Sequence, residues 1–122
     1  MSRTMFERYG GFKAVRSIVL AFYEKMLDSE ITAPYFENTD MRRLLDHQSK
    51  FIASLMGGPA SYSNDELSRI HARLGIDERA FKESADLLAE ALEDLDVAAG
   101  DIEEVIDEFI ARKPYIVIGK QP

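Results

Sequence analysis

Apolar residues recur along this chain at the spacing of helix faces. Val15, Ile18, Val19, Phe22, Tyr23, Met26 and Leu27 fall at i, i+3, i+4, i+7, i+8, i+11 and i+12, one continuous stripe. A second stripe joins Met41, Leu44, Leu45, Gln48, Ile52 and Leu55, with Phe51 at its edge. Leu67, Ile70, His71 and Leu74 make a short helical face. Phe81, Ala85, Leu88, Leu92 and Leu95 make a longer one, and Ile102, Val105, Ile106, Phe109 and Ile110 the last. No alternating strand pattern competes with these faces, and no internal repeat or low-complexity segment interrupts them.

The residues between the stripes are helix punctuation. Thr4 and Glu7 have the spacing of a capping box and predict a short first helix, which Gly10-Gly11 ends. Asp28-Ser29 and Pro34 mark a break, with Tyr35 and Phe36 in a tight connector. Asp40 is placed to cap the third helix, which Gly57-Gly58-Pro59 terminates. Ser63 with Glu66 repeats the capping-box spacing before the short face, and Gly75 closes it. Asp77 caps the next helix, and Gly100-Asp101 with Glu104 opens the last, limited by Pro114. The tail Tyr115-Ile116-Val117-Ile118 is apolar and β-branched, and the pattern gives residues 113–122 no placement. The fold class expected is all-α, one domain over residues 1–122.

Composition narrows the function classes. The 122 residues suit one domain, and 46% hydrophobic with 30% charged residues describe an ordinary globular chain. A net charge of -7 argues against a nucleic-acid surface and disfavours anionic membranes. The absence of cysteine excludes disulfides, thiolate metal sites, a cysteine nucleophile and thioether attachment of a cofactor, and it fits the cytoplasm. Residues 1–11 lack the basic flank and apolar run of a signal peptide, and no apolar stretch approaches the roughly 18 residues of a membrane span.

Three polar groups stand where apolar ones are expected. His71 lies between Ile70 and Leu74 on an apolar face, and a buried imidazole needs partners for both nitrogens. A metal is one such partner; a satisfied core histidine is the other reading, and position alone favours it. Gln48 lies on the third helix stripe, where an unpartnered buried amide would cost about 1–3 kcal/mol. It either points at something polar or sits at a partly exposed edge. Tyr23 adjoins Phe22 on the most regular face, and by itself it reads as a core tyrosine. Hydrolytic alternatives find no support. No nucleophile elbow is present, His47 and His71 are too far apart for a two-histidine helical zinc motif, and the paired glycines are helix stops. The carboxylates of 90–96 and 101–108 read as solvated faces.

Taken together, residues 4–112 resemble the truncated hemoglobins, and within them group I. The resemblance rests on an ordered set. It runs through Tyr9-Gly10-Gly11, Phe22-Tyr23, Pro34-Tyr35-Phe36, Asp40-Met41, His47-Gln48 with Phe51, Gly57-Gly58-Pro59, Tyr62 and His71-Ala72-Arg73-Leu74-Gly75-Ile76. It implies a two-over-two helical sandwich around one heme b. His71 then matches the proximal iron ligand, Phe36 the phenylalanine packed on the porphyrin face, Tyr23 the distal tyrosine and Gln48 a distal glutamine. Leu44 takes the position where many globins carry a distal histidine, and Phe51, Ile76 and Phe81 are expected to line the heme. Tyr62 and one of Arg43, Arg69 or Arg73 are the candidates for the propionates.

The same resemblance implies reversible binding of dioxygen, NO and CO, and oxidation of NO to nitrate if a separate reductase is available. It implies a monomer or weak dimer with no nucleic-acid or membrane partner. Two points set this chain apart. Ile52 stands where some group I members gate an apolar tunnel with phenylalanine. His47 stands where certain relatives bring a histidine to the iron as a sixth ligand. The alternative function is therefore a six-coordinate His47/His71 heme protein for electron transfer or peroxide and reactive-nitrogen chemistry. A helical interaction module without cofactor is the third reading.

Overall fold

The computed structural model describes residues 3–37, 39–58 and 76–117. In chain order its helices are α1 (Met5–Arg8), α2 (Phe12–Asp28), α3 (Met41–Leu55), α4 (Glu78–Asp94), α5 (Ala99–Ala111) and α6 (Lys113–Ile116), with a 3₁₀ turn over Ala33–Phe36 between α2 and α3. Among the described residues there is no strand, and no helix is long and apolar enough to cross a membrane.

Local chemistry sets the helix starts much as the sequence predicts. The Thr4 hydroxyl accepts from the Glu7 amide at 3.1 Å, and the Glu7 carboxylate accepts from the Thr4 amide at 3.0 Å, a closed capping box. Asp40 accepts from the amides of Arg42 and Arg43, and Asp77 from that of Ala80. Gly10 and Gly11 take φ of 110° and 74°, a left-handed turn that side chains resist, and so α1 stops before α2 begins.

Packing forms two layers. α2 lies against both α3 and α4, α4 lies against α5, and α3 also touches α5. The core at these contacts is fully buried. Val15 and Ile18 come from α2, Ile52 from α3, Leu88 and Leu92 from α4, and Val105 from α5. Each such side chain contributes about 1.5–3 kcal/mol through removal from water. α1 docks on the end of α3, where the Phe6 amide donates to the Met56 carbonyl at 2.9 Å. Gly58 makes that approach feasible. A Cβ there would stand 2.8 Å from the Phe6 ring and 2.9 Å from the Ala53 carbonyl.

Gly100-Asp101 lie in the first turn of the last helix, just after its first residue Ala99, and α5 starts with no side-chain cap. Asp101 is committed elsewhere. Its carboxylate accepts from both Arg8 guanidinium ends at 3.1 and 3.0 Å and from the Tyr9 hydroxyl at 2.6 Å. The Ala98 amide donates to that same hydroxyl at 3.1 Å, so α1 and the start of α5 are tied together. Leu27 and Ile110 are exposed although Met26 and Phe109 beside them are buried, because each lies at the edge of its stripe, seven residues on from exposed Leu20 and Glu103, and Leu95 is exposed just past the last residue of α4. The apolar tail gains a place up to Val117. With Pro114 in its first turn it forms α6 and buries Ile116. Ser63, Glu66, Leu67, Ile70, Leu74 and Gly75 of the expected short helix lie outside the described residues.

Candidate functional site

The elements converge on one apolar cavity. α3 supplies a wall from Leu44, Gln48 and Phe51, spaced i, i+4 and i+7 and so on one face. α2 supplies Phe22, Tyr23 and Met26. The 3₁₀ turn brings in Phe36, and its position is set by Thr32, whose buried hydroxyl donates to the Met26 carbonyl at 2.6 Å. Ile76, just ahead of the Asp77 cap, and Phe81 and Ser84 of α4 close another side. Phe109 and Ile116 complete the lining.

The walls are largely aromatic. Tyr23 meets Phe22 at a ring-centroid distance of 5.4 Å. Phe81 stacks on Phe109 at 5.0 Å with the planes 8° apart, and Phe51 approaches Phe109 at 6.3 Å.

Two hydrogen-bonding groups face this apolar space. Tyr23 is 4% exposed, and burial alone pushes its phenol far above the usual tyrosine range, so it is a neutral donor near neutral pH. Gln48 is 7% exposed. Among the described residues neither the phenol nor the amide has a hydrogen-bond partner within the protein. Both polar ends reach the space of the cavity, where a small ligand accepting from both would meet them. Ser84 is already engaged, donating to the Ala80 carbonyl at 2.8 Å with the Met26 sulfur at 3.4 Å.

The structure brings Tyr23, Phe36, Leu44, Gln48, Phe51, Ile76 and Phe81 around this single cavity. His47 is half-buried with its Nε2 shielded from solvent, and it is not among the lining residues. Arg43 lies on the outer side of α3 rather than on the cavity. His71, Tyr62, Arg69 and Arg73 lie outside the described residues. Sequence reasoning missed Phe22, Met26, Ser84, Phe109 and Ile116 as lining residues. Phe22, Met26 and Phe109 were visible as stripe positions, but a stripe does not separate core from cavity. Ser84 carried no signal, and Ile116 only that of an apolar tail.

Among the described residues no three His, Cys, Asp or Glu side chains converge to cage a metal ion directly. The donor set instead fits a flat, apolar prosthetic group. Aromatic faces would hold its plane, and a phenol and an amide would meet a small ligand on it. Phe36, Phe51, Ile76 and Phe81 would hold such a group in this cavity.

Comparison with known proteins agrees with this architecture. The chain matches the bacterial-like globin family over residues 4–114. It is 30% identical over 117 residues to the group 1 truncated hemoglobin GlbN of Mycolicibacterium paratuberculosis, covering 96% of this chain and 86% of that one. It is 31% identical over 102 residues to a group 1 truncated hemoglobin of Tetrahymena pyriformis, covering 84% of each. The crystal structure of the Tetrahymena pyriformis truncated hemoglobin in its Fe(III) form superposes with a TM-score of 0.85 at 29% identity, over 97% of this chain and 100% of that one. The chain therefore belongs to the bacterial-like globins, and among them to the group 1 truncated hemoglobins, heme proteins that bind diatomic ligands.

Proposed function

We propose that this chain holds one heme b with His71 as its axial ligand and binds dioxygen reversibly, with NO and CO as competing ligands. The observation that carries this reading is the pairing of Tyr23 and Gln48, two buried donors facing one apolar cavity. When bound, heme supplies an iron with an open coordination position for a diatomic gas.

The chain's own residues supply the selectivity. Dioxygen draws negative charge on binding, and a neutral phenol and an amide N–H₂ both donate toward such charge. In a low-dielectric cavity these donations are stronger than in water. Phe36, Phe51 and Phe81 exclude bulk water from the same space. The reading is therefore tight oxygen binding with slow release. Oxidation of NO to nitrate, with a separate reductase restoring the starting state, is the turnover we assign to the oxygen-loaded protein.

An absorption spectrum of the ferric, ferrous and oxygenated protein tests this reading. A Soret band, a five-coordinate high-spin ferrous form and a stable oxygenated form are expected, and His71→Ala is expected to abolish the high-affinity heme complex. No Soret band after expression with ample heme overturns the assignment. A six-coordinate low-spin ferrous form without added ligand would assign the sixth position to His47 instead.

A further inference from the structure

The outer face of the α2–α3 pair carries a groove separate from the cavity. Its floor is apolar: Val19 is buried, Leu45 half-buried, and Phe12 and Leu20 stand 45% and 49% exposed. Its rims are basic. Lys13 and Arg16 come from α2, and Arg42 and Arg43 from α3. Among the described residues none of these four has an ion-pair partner. The rim's fifth cation, Lys50, pairs with the rim's acid Asp46 at 3.2 Å. Concentrating unpaired cations around exposed apolar residues is unexpected in a chain of net charge -7.

The spread of charge identifies the occupant. Arg42 and Lys50 stand eight residues apart on α3, about 12 Å along the axis, and further cations line the opposite rim. One carboxylate or phosphate head of a lipid reaches only one end of such a rim. A second copy of the chain has its acidic helices α4 and α5 turned with their apolar stripes, Leu88 and Leu92, Val105 and Phe109, into its own core. An amphipathic helix with an apolar stripe and carboxylates on both flanks meets floor and rims together. We propose that this groove docks an acidic amphipathic helix of a protein partner. The docked helix would lie along the back of α3, whose opposite face carries Leu44, Gln48 and Phe51. The proposal stands on the groove alone and does not depend on the heme assignment.

The test is a titration of ¹⁵N-labelled protein, purified as expressed, with a synthetic helix of about three turns. The probe carries a leucine stripe between two rows of glutamate. Amide shifts should change around Phe12, Arg16, Leu45 and Ser49 and saturate. The double variant Arg16→Glu with Arg42→Glu, one change on each rim, should bind about tenfold more weakly or worse. A control with the same charge change on α4, Arg79→Glu with Lys82→Glu, should bind as the parent does. If the rim variant does not fold, added salt on the unmodified protein decides, since binding indifferent to salt overturns the proposal. Equal binding of a lysine-flanked version of the peptide, or shifts centred elsewhere, also overturns it. So do groove shifts that arise on concentrating the protein alone, which would make the occupant a second copy. Groove shifts with decanoate or anionic phospholipid vesicles but not with the peptide would assign the groove to lipid and overturn it equally.

Discussion

Tyr23 meets Phe36 edge to face, their ring centroids 5.4 Å apart and their planes at 80°. The contact joins the long α2 to the short turn that follows it. It holds the phenol by its ring and leaves the hydroxyl uncommitted among the described residues. Tyr23→Phe therefore separates packing from hydrogen bonding. The variant should keep its fold, with stability changed by less than about 0.5 kcal/mol because no protein partner is lost. Oxygen dissociation followed by stopped-flow CO displacement should quicken about ten- to hundredfold, the worth of one hydrogen bond to a charged acceptor. An unchanged off-rate removes Tyr23 from the ligand-stabilising role.

Asp101 should leave a mark on acid stability. The Arg8 guanidinium, then the Tyr9 hydroxyl, hold its carboxyl below the usual carboxylate range. A folded-state pKa below the unfolded value of about 3.9 means that stabilisation is complete above that value and is lost as pH falls through the folded one. Thermal unfolding midpoints measured from neutral pH downward should show Asp101→Asn less stable than the parent above about pH 4, with the gap closing below it. A gap that stays constant to the lowest pH at which the protein folds would show that the carboxylate's charge is not what matters.

Gly58→Ala should destabilise without disturbing the cavity. The added Cβ would press on the Phe6 ring at 2.8 Å and on the Ala53 carbonyl at 2.9 Å, and the carbonyl cannot step aside. A loss of about 1–3 kcal/mol in urea unfolding is expected, as for other overpacked sites. Loss below about 0.5 kcal/mol would mean that α1 lifts off α3 at little cost.

Leu88→Ala probes the seam between the layers. Leu88 is wholly buried on α4. Truncation should cost about 2–5 kcal/mol, the range for buried leucines where the cavity does not collapse. A smaller loss would indicate that α2 and α5 close over the gap.

The chain's local chemistry was readable in advance, its long-range commitments less so. Thr4, Asp40 and Asp77 cap helices as their neighbours in sequence require, because a cap is decided within three residues. Asp101 lies in the first turn of α5 without capping it, because Arg8 and Tyr9, remote in sequence, claim its carboxylate. Leu27 and Ile110 fit their stripes and still face solvent while Met26 and Phe109 beside them are buried, since periodicity does not report how wide a stripe the neighbouring helices cover. Tyr23, Phe36 and Gln48 were legible as a set through a family resemblance, not through position. Ser84 and Ile116 reach the same cavity with no signal beyond composition, because only tertiary packing brings α4 and α6 to that place.

The cavity draws on Phe22 and on Ile116, residues far apart in sequence. No contiguous stretch of α2 to α6 therefore makes the container by itself, and holding a cofactor is a property of the packed helices together. A variant with Ile116 truncated to alanine would keep the other walls and release its cofactor faster.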